Sequence, residues 1–294
     1  MKPFKLTLFV ALTLGFVYVI FDSVQHIRAE IHHRNGFIKK ERGYTKLANI
    51  NYKTAVKLIP WENHYRLQLA KSYEATATQH PNEYKKYINL AIKEYEKLIT
   101  SDPLNPWFKA RLGLIYHDLH KKYPQNNDFK RLAHDLAKGA TNNDPKNPLF
   151  TLHYGHLLYT YNQLEKSKEY YKKTLTYDSS MTEAHFNIAA IYTEENNQEQ
   201  ALHHYKFVAE QLIGLEKSYR KTQLAETKTK IERFQNARIA LAEHYLETNN
   251  TPLAYNMINA IPVSVEKYEL LATYYEKSNN KEAAISLYKQ LNTR

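Results

Sequence analysis

One column of residues returns along most of this 294-residue chain: a small residue, an aromatic or apolar one four later, another small or apolar one three later, and a proline five beyond that. It reads Ala48, Tyr52, Ala55, Pro60, then Ala91, Tyr95, Leu98, Pro103, then Ala133, Ala137, Ala140, Pro145. Looser copies stand at Ser167, Tyr171, Thr174, Ser179 and at Ala201, Tyr205, Val208, Ile213. Two more lack the proline and start at Ala254, Ile258, Ile261 and at Ala284, Tyr288, Leu291. Residues four and then three apart share one helix face, so each column predicts one buried stripe. Its small first residue admits a neighbouring helix closely, and the proline ends the helix.

A second column precedes each stripe: Leu69, Ala70, Tyr73; Leu112, Gly113, Tyr116; Tyr154, Gly155, Leu158; Ile188, Ala189, Tyr192; Leu241, Ala242, Tyr245; Leu271, Ala272, Tyr275. In the last four units, nine residues separate this column from the next small residue. Asn162, Asn196, Asn197, Asn249, Asn250, Asn279 and Asn280 fall in that interval, where a tight turn favours left-handed or capping conformations. Each unit therefore reads as helix, short turn, helix. Seven glycines and ten prolines are too few for an all-β chain of this length, which supports long helices.

In this order of residues the chain resembles the tetratricopeptide repeat (TPR) family, of a membrane-anchored bacterial type; the units at Pro148 and Thr182 are each 34 residues long, as that family's repeat is. The resemblance implies an all-α fold: a right-handed superhelical solenoid of about seven hairpins after an N-terminal transmembrane helix. It implies a domain order of anchor (1–28), units one to five (29–215), a charged helical extension (216–234) and units six and seven (235–294). Two departures stand out. Tyr73 to Ala91 spans 18 residues and Tyr116 to Ala133 spans 17, so loops or helix ends are lengthened there, with Pro81 and Pro124 at the turns. Ala201 and Ala254 lie 53 apart, and the charged stretch from Gly214 to Gln235 reads as an elongated helix pair that kinks the array.

The first unit keeps Gly36, Gly43, Ala48, Tyr52, Ala55 and Pro60 in register, and its first helix is expected to run on from the anchor. That anchor is an uncharged run of 16 residues from Leu6 to Phe21, behind Lys2 and Lys5. It is aromatic to its end and no small-x-small site comes after it, so an uncleaved span is expected rather than a signal peptide. Its direction has two readings. Arg28, Arg34, Lys39, Lys40 and Arg42 favour a cytoplasmic array, whereas a short basic leader before an apolar run exports the chain beyond that run; the expectation adopted is the extracytoplasmic, periplasmic side. The cations from Arg28 to Lys46 are candidates to rest on anionic headgroups.

No phosphate loop, zinc helix, nucleophile elbow or calcium loop occurs, so no enzyme, catalytic residue or cofactor is expected. The absence of cysteine removes disulfides and thiolate chemistry. His117 with His120 and His153 with His156 have helical spacing without an acidic partner, and His32, His33, His203 and His204 add only neighbours, so no metal site is expected. The +11 charge is spread as lysine pairs over many units without a nucleic-acid motif, so no nucleic acid is expected.

The resemblance places partners on the concave surface at positions 2, 5, 9 and 12 of each first helix. This gives Trp107, Leu114, His117, Leu149, Leu152, His156, Tyr159 and Phe186 as an aromatic middle, and Glu243, Glu266, Glu269 and Glu276 as an acidic end. Some of these, Leu149 and Leu152 above all, are equally placed to pack between hairpins. Such a groove suits a helix or extended peptide with basic residues. The expected role is a membrane-tethered scaffold or adaptor that assembles or stabilises a membrane-associated complex. The alternative is an accessory or recruiting subunit of an envelope enzyme of glycan-ligase or cytochrome-maturation type, and a third reading is a lipid- or nucleic-acid-surface binder driven by charge alone. The last unit carries no polar capping helix after its stripe, so a bound partner or a homodimer is expected to cover it.

Overall fold

The computed structural model describes residues 3–291, with side chains from 11 to 289. Among the described residues there are fourteen α-helices and no strand, and the helices pair into seven hairpins. The chain divides into two compact units, 1–145 and 146–294.

The first unit holds three hairpins: α1 (Pro3–Glu41) with α2 (Thr45–Leu58), α3 (Asn63–Gln79) with α4 (Tyr84–Ser101), and α5 (Pro106–Lys122) with α6 (Asn127–Asn143). The recurring column is its core. Ala48, Tyr52, Ala55, Ala91, Tyr95 and Ala133 are fully buried, and the proline after each stripe sits just past the end of its helix. Asn105 starts α5 by accepting the Trp107 N–H at 3.1 Å, with Pro106 at the first helical position where its missing N–H costs nothing.

The second unit holds four hairpins: α7 (Pro148–Thr160) with α8 (Leu164–Tyr177), α9 (Thr182–Glu194) with α10 (Gln198–Thr222), α11 (Ala225–Glu247) with α12 (Thr251–Ala260), and α13 (Val265–Lys277) with α14 (Lys281–Leu291). The asparagines in the nine-residue interval do what the turn requires. Asn162, Asn196, Asn249 and Asn279 have φ of 59°, 57°, 55° and 58°, the left-handed conformation that asparagine tolerates. Asn197, Asn250 and Asn280 then cap the next helix, accepting from the N–H of Gln200, Leu253 and Ala283.

Two expectations are refined. The extra residues of the second and third hairpins go mainly into helix: α3 and α5 have 17 residues where α7, α9 and α13 have 13. The charged stretch from Gly214 onward forms the elongated ends of α10 and α11, of 25 and 23 residues, joined at Gln223 with φ of 53°. α10 runs through Gly214 unbroken, and a Cβ there would meet open space, so nothing in the packing requires a glycine at that position.

The helix continues from the expected anchor into the first hairpin without a break. Among the described residues no helix is long and apolar enough to cross a membrane; the side chains of the first ten positions of the expected anchor lie outside that description. Residues 11 to 21 are exposed on every side of α1, and the first fully buried residue after them is Ala29, which packs with Ala55, Ile59 and Tyr65.

Two glycines of the second column make a measurable contrast. A Cβ on Gly155 would lie 2.9 Å from the ring of Tyr171, which is fully buried and has nowhere to move, whereas the nearest atoms to a Cβ on Gly113 are at 3.4 Å. Gly113→Ala is therefore expected to gain up to about 1 kcal/mol of helix propensity. Gly155→Ala is expected to lose about 1 kcal/mol, because overpacking a closed core outweighs the same gain. Urea denaturation midpoints of the two variants decide this; equal shifts of one sign would show that ring contact does not govern the position.

Candidate peptide-binding surfaces

Each unit carries its own cavity between the first helices of adjacent hairpins. In the first, a cavity of about 880 Å³ opens between α3 and α5. His64, Leu67, Lys71 and Glu74 of α3 line it, at positions 2, 5, 9 and 12 of their hairpin. Facing them from α5 are Trp107, Phe108, Arg111, Ile115 and Asp118, with Tyr84 and Ile88 of α4 behind and Lys40 of α1 at one end. Glu74 is tied down on the floor: it accepts the Tyr95 hydroxyl at 2.6 Å and Arg111 Nε at 3.2 Å. Burial, then the Glu74 charge, drives the Tyr95 phenol far above its ordinary pKa. With Glu74 paired to Arg111, Lys40, Lys71 and Asp118 are the charges that a ligand meets, on a wall that mixes apolar side chains with Asn63, His64, Thr78 and Asn105.

Of the sequence-predicted residues in this unit, Trp107 lines the cavity and is 52% exposed. Leu114 is half-buried and His117 only 3% exposed, and neither lines it. α5 presents positions 3, 6, 10 and 13 to this cavity, one residue on and so about 100° round the helix from the projected face. Burial, then the charges of Lys121 and His120, pushes the His117 imidazole down to about 4. The α3 residues were recoverable by applying the same offsets to the unit that starts at Asn63.

In the second unit, a cavity of about 350 Å³ lies between α11 and α13. Glu243 and Glu247 of α11 meet Glu266 and Glu269 of α13 across it, over a floor of Ile239, Leu246 and Leu270, with Lys277 the single cation on its wall. Glu243 and Glu247 also line an adjoining cavity of about 280 Å³ between α10 and α11, where Leu202, Tyr205 and His244 contribute. Burial, then the Glu247 charge, raises the pKa of Glu243. Three of the four projected acids, Glu243, Glu266 and Glu269, are thus brought together; Glu276 is exposed but outside this wall.

The projected aromatic middle is divided between roles. Leu149 is 38% exposed, while Leu152 is 8% exposed and belongs to a core with Tyr171, Ala184, Ile188 and Ile191. His156 is half-buried. Tyr159 is half-buried, and its hydroxyl donates to Glu194; that bond, then burial, lifts the phenol to about 12. Phe186 packs 5.3 Å from the Phe234 ring, with the Arg233 guanidinium 5.3 Å over its face, so it serves the α9–α10–α11 core. Among the described residues no group of three or more histidines or carboxylates is placed to hold a metal ion.

No family model matches this chain, and no curated protein matches it. Among solved structures, PilF of Pseudomonas aeruginosa matches with a TM-score of 0.57 and 15% identity, over 84% of this chain and 98% of PilF. A MamA fragment (residue 41 to the end) from Desulfovibrio magneticus RS-1 matches with a TM-score of 0.50 and 15% identity, over 62% of this chain and 94% of the fragment. PilF and MamA are TPR-repeat proteins, and the fold of this chain is TPR-like and helical.

Proposed function

We propose that this chain is a membrane-anchored, non-catalytic scaffold whose second unit holds a basic helix or extended segment of a protein partner, in the assembly or stabilisation of a membrane-associated complex. The observation that carries the proposal is the convergence of Glu243, Glu247, Glu266 and Glu269 over Ile239, Leu246 and Leu270. Four carboxylates from two helices against one lysine repel one another until a cation arrives, and the apolar floor beneath them offers desolvation to the stem of an arginine or lysine. The first unit's cavity, lined by Trp107, Phe108 and Ile115 among polar side chains, supplies a separate surface for a protein partner. The anchor is supported by the uncharged run from Leu6 to Phe21 and by the exposure of residues 11 to 21 on all sides of α1. A helix apolar all round is at rest in hydrocarbon and not in water.

Affinity purification of the tagged full chain from solubilised membranes tests the scaffold reading, with a Glu243→Lys/Glu269→Lys variant beside it. Both positions are exposed, so the fold is expected to survive. Placing like charges against a basic segment costs several kcal/mol, so recovery of the partner is expected to fall at least about tenfold. Equal recovery by the two chains would remove the acidic cavity from the proposal.

A further inference from the structure

We infer that Trp61 sits in the bilayer interface, where it pins the first unit to the membrane beside α1; this rests on the anchor proposed above. The geometry begins with hairpin topology. α2 runs back along α1, so the turn after it returns toward the end of α1 from which the apolar run emerges. The return is fixed by packing: Ala29 of α1, Ala55 and Ile59 of α2 and Tyr65 of α3 form one buried cluster. Farther out, the Trp61 ring meets the His26 ring edge-on at 6.3 Å between centroids, and His26 in turn lies 3.5 Å from the Asp22 carboxylate.

His26 is five residues past Phe21, the last residue of the uncharged run. At 1.5 Å per residue that is about 7.5 Å along the helix. The polar zone on each side of a hydrocarbon core is about 5–7.5 Å thick, so a ring level with His26 falls at its outer edge, within reach of the acyl boundary for a side chain as long as tryptophan. Tryptophan is the side chain most at home there, with an apolar face for the acyl boundary and an N–H for the headgroups. Trp61 is 64% exposed, so the hairpin itself leaves most of that face uncovered.

Charge says which lipid matters. Arg28 and Lys57 are the exposed cations near this level, and Asp22 and Glu62 stand against them. Arg34, Lys39 and Lys40 lie about 20 to 29 Å past Phe21 along a helix that rises 1.5 Å per residue, clear of the headgroups when α1 runs along the membrane normal. The seat is therefore apolar and aromatic in origin, and zwitterionic phosphatidylcholine is sufficient for it. Of the cations from Arg28 to Lys46 expected to rest on anionic headgroups, this geometry keeps Arg28 near that level and places Arg34, Lys39 and Lys40 beyond it.

The two tryptophans of the chain make the test direct. Trp107→Phe in the full chain, reconstituted into phosphatidylcholine vesicles, leaves Trp61 as the sole indole. The protein is expected to float with the vesicles. Trp61 emission is expected to move to shorter wavelength, to be roughly halved by phosphatidylcholine brominated at shallow acyl carbons, and to lose its quenching by aqueous iodide. The difference between the native chain and Trp61→Phe reads the same indole without relying on Trp107→Phe. Flotation with Trp61 still quenched by iodide and indifferent to brominated lipid overturns the interfacial seat and leaves the anchor standing. Failure to float overturns the anchor, and the seat falls with it.

Discussion

Arg238→Met is expected to cost the second unit about 3 kcal/mol, near the lower end of what breaking a buried ion pair costs. The Arg238 side chain is 4% exposed and bound on every side: Nη1 donates to Glu216 Oε1 at 2.6 Å and to the Ala260 carbonyl at 2.8 Å, and Nη2 donates to Glu216 Oε2 at 3.2 Å. Gln235 Oε1 accepts from the same guanidinium at 3.3 Å. One side chain thus joins the extension of α10 to α11 and to the end of α12. Methionine fills much of the space but leaves a carboxylate and a helix-terminal carbonyl without their donor. Glu216 is 29% exposed, so water recovers part of the loss, which is why the lower figure is expected. Glu216→Gln keeps a hydrogen-bonding oxygen opposite Arg238 and is expected to cost less, about 1 kcal/mol. Urea denaturation of the full chain, monitored by helical ellipticity, compares the two; Arg238→Met within experimental scatter of the native chain would sink the prediction.

The same cluster illustrates what was readable in the residues and what was not. The columns are local, so periodicity reports them: Tyr52, Tyr95 and Tyr171 are fully buried where the pattern puts them, and Asn162, Asn196, Asn249 and Asn279 take the left-handed turn. Arg238 and Glu216 are 22 residues apart on different helices, and no spacing rule brings an extension's charges together. From sequence both look like parts of a solvated charged face. The concave surfaces fall between these cases. Position within a hairpin gives the helix face to within about one residue, yet a shift of one residue turns a side chain by about 100°. His117 and Leu152 are buried on that account, while His64, Leu67, Lys71 and Glu74 line a cavity at the projected offsets. Where a first helix also stacks on the next hairpin, its apolar residues are shared between groove and core, and only packing in three dimensions divides them.

Acidification from pH 7 to about 4.5 is expected to weaken the fold by several kcal/mol before most carboxylates titrate. His204 is pushed down to about 4, chiefly by burial and then by the neighbouring His185, His203 and Lys172. His185 is lowered too, mainly by burial. Its Nε2–H donates to the Ser179 carbonyl at 3.1 Å, so its Nδ1 carries the lone pair that accepts the His204 Nδ1–H at 2.8 Å. The Phe207 ring stacks on His185 at 3.9 Å and covers one face of that imidazole, so two imidazolium ions 2.8 Å apart at Nδ1 would repel in a partly desolvated setting. His117, pushed to about 4 in the first unit, acts in the same direction. The sign comes from linkage: an unfolded histidine titrates near 6.5, so between about 6.5 and 4 the unfolded chain binds more protons and stability falls as pH falls. Each of His117 and His204 contributes on the order of 2–3 kcal/mol when the window has been crossed. Glu243, whose pKa is raised, gains a proton in the folded state first and offsets a little of this. Urea midpoints at pH 7, 5.5 and 4.5 measure the slope, and His204→Gln and His117→Gln are each expected to flatten it. A midpoint that holds constant across that range would show that these rings accept protons without disturbing the helices that bury them.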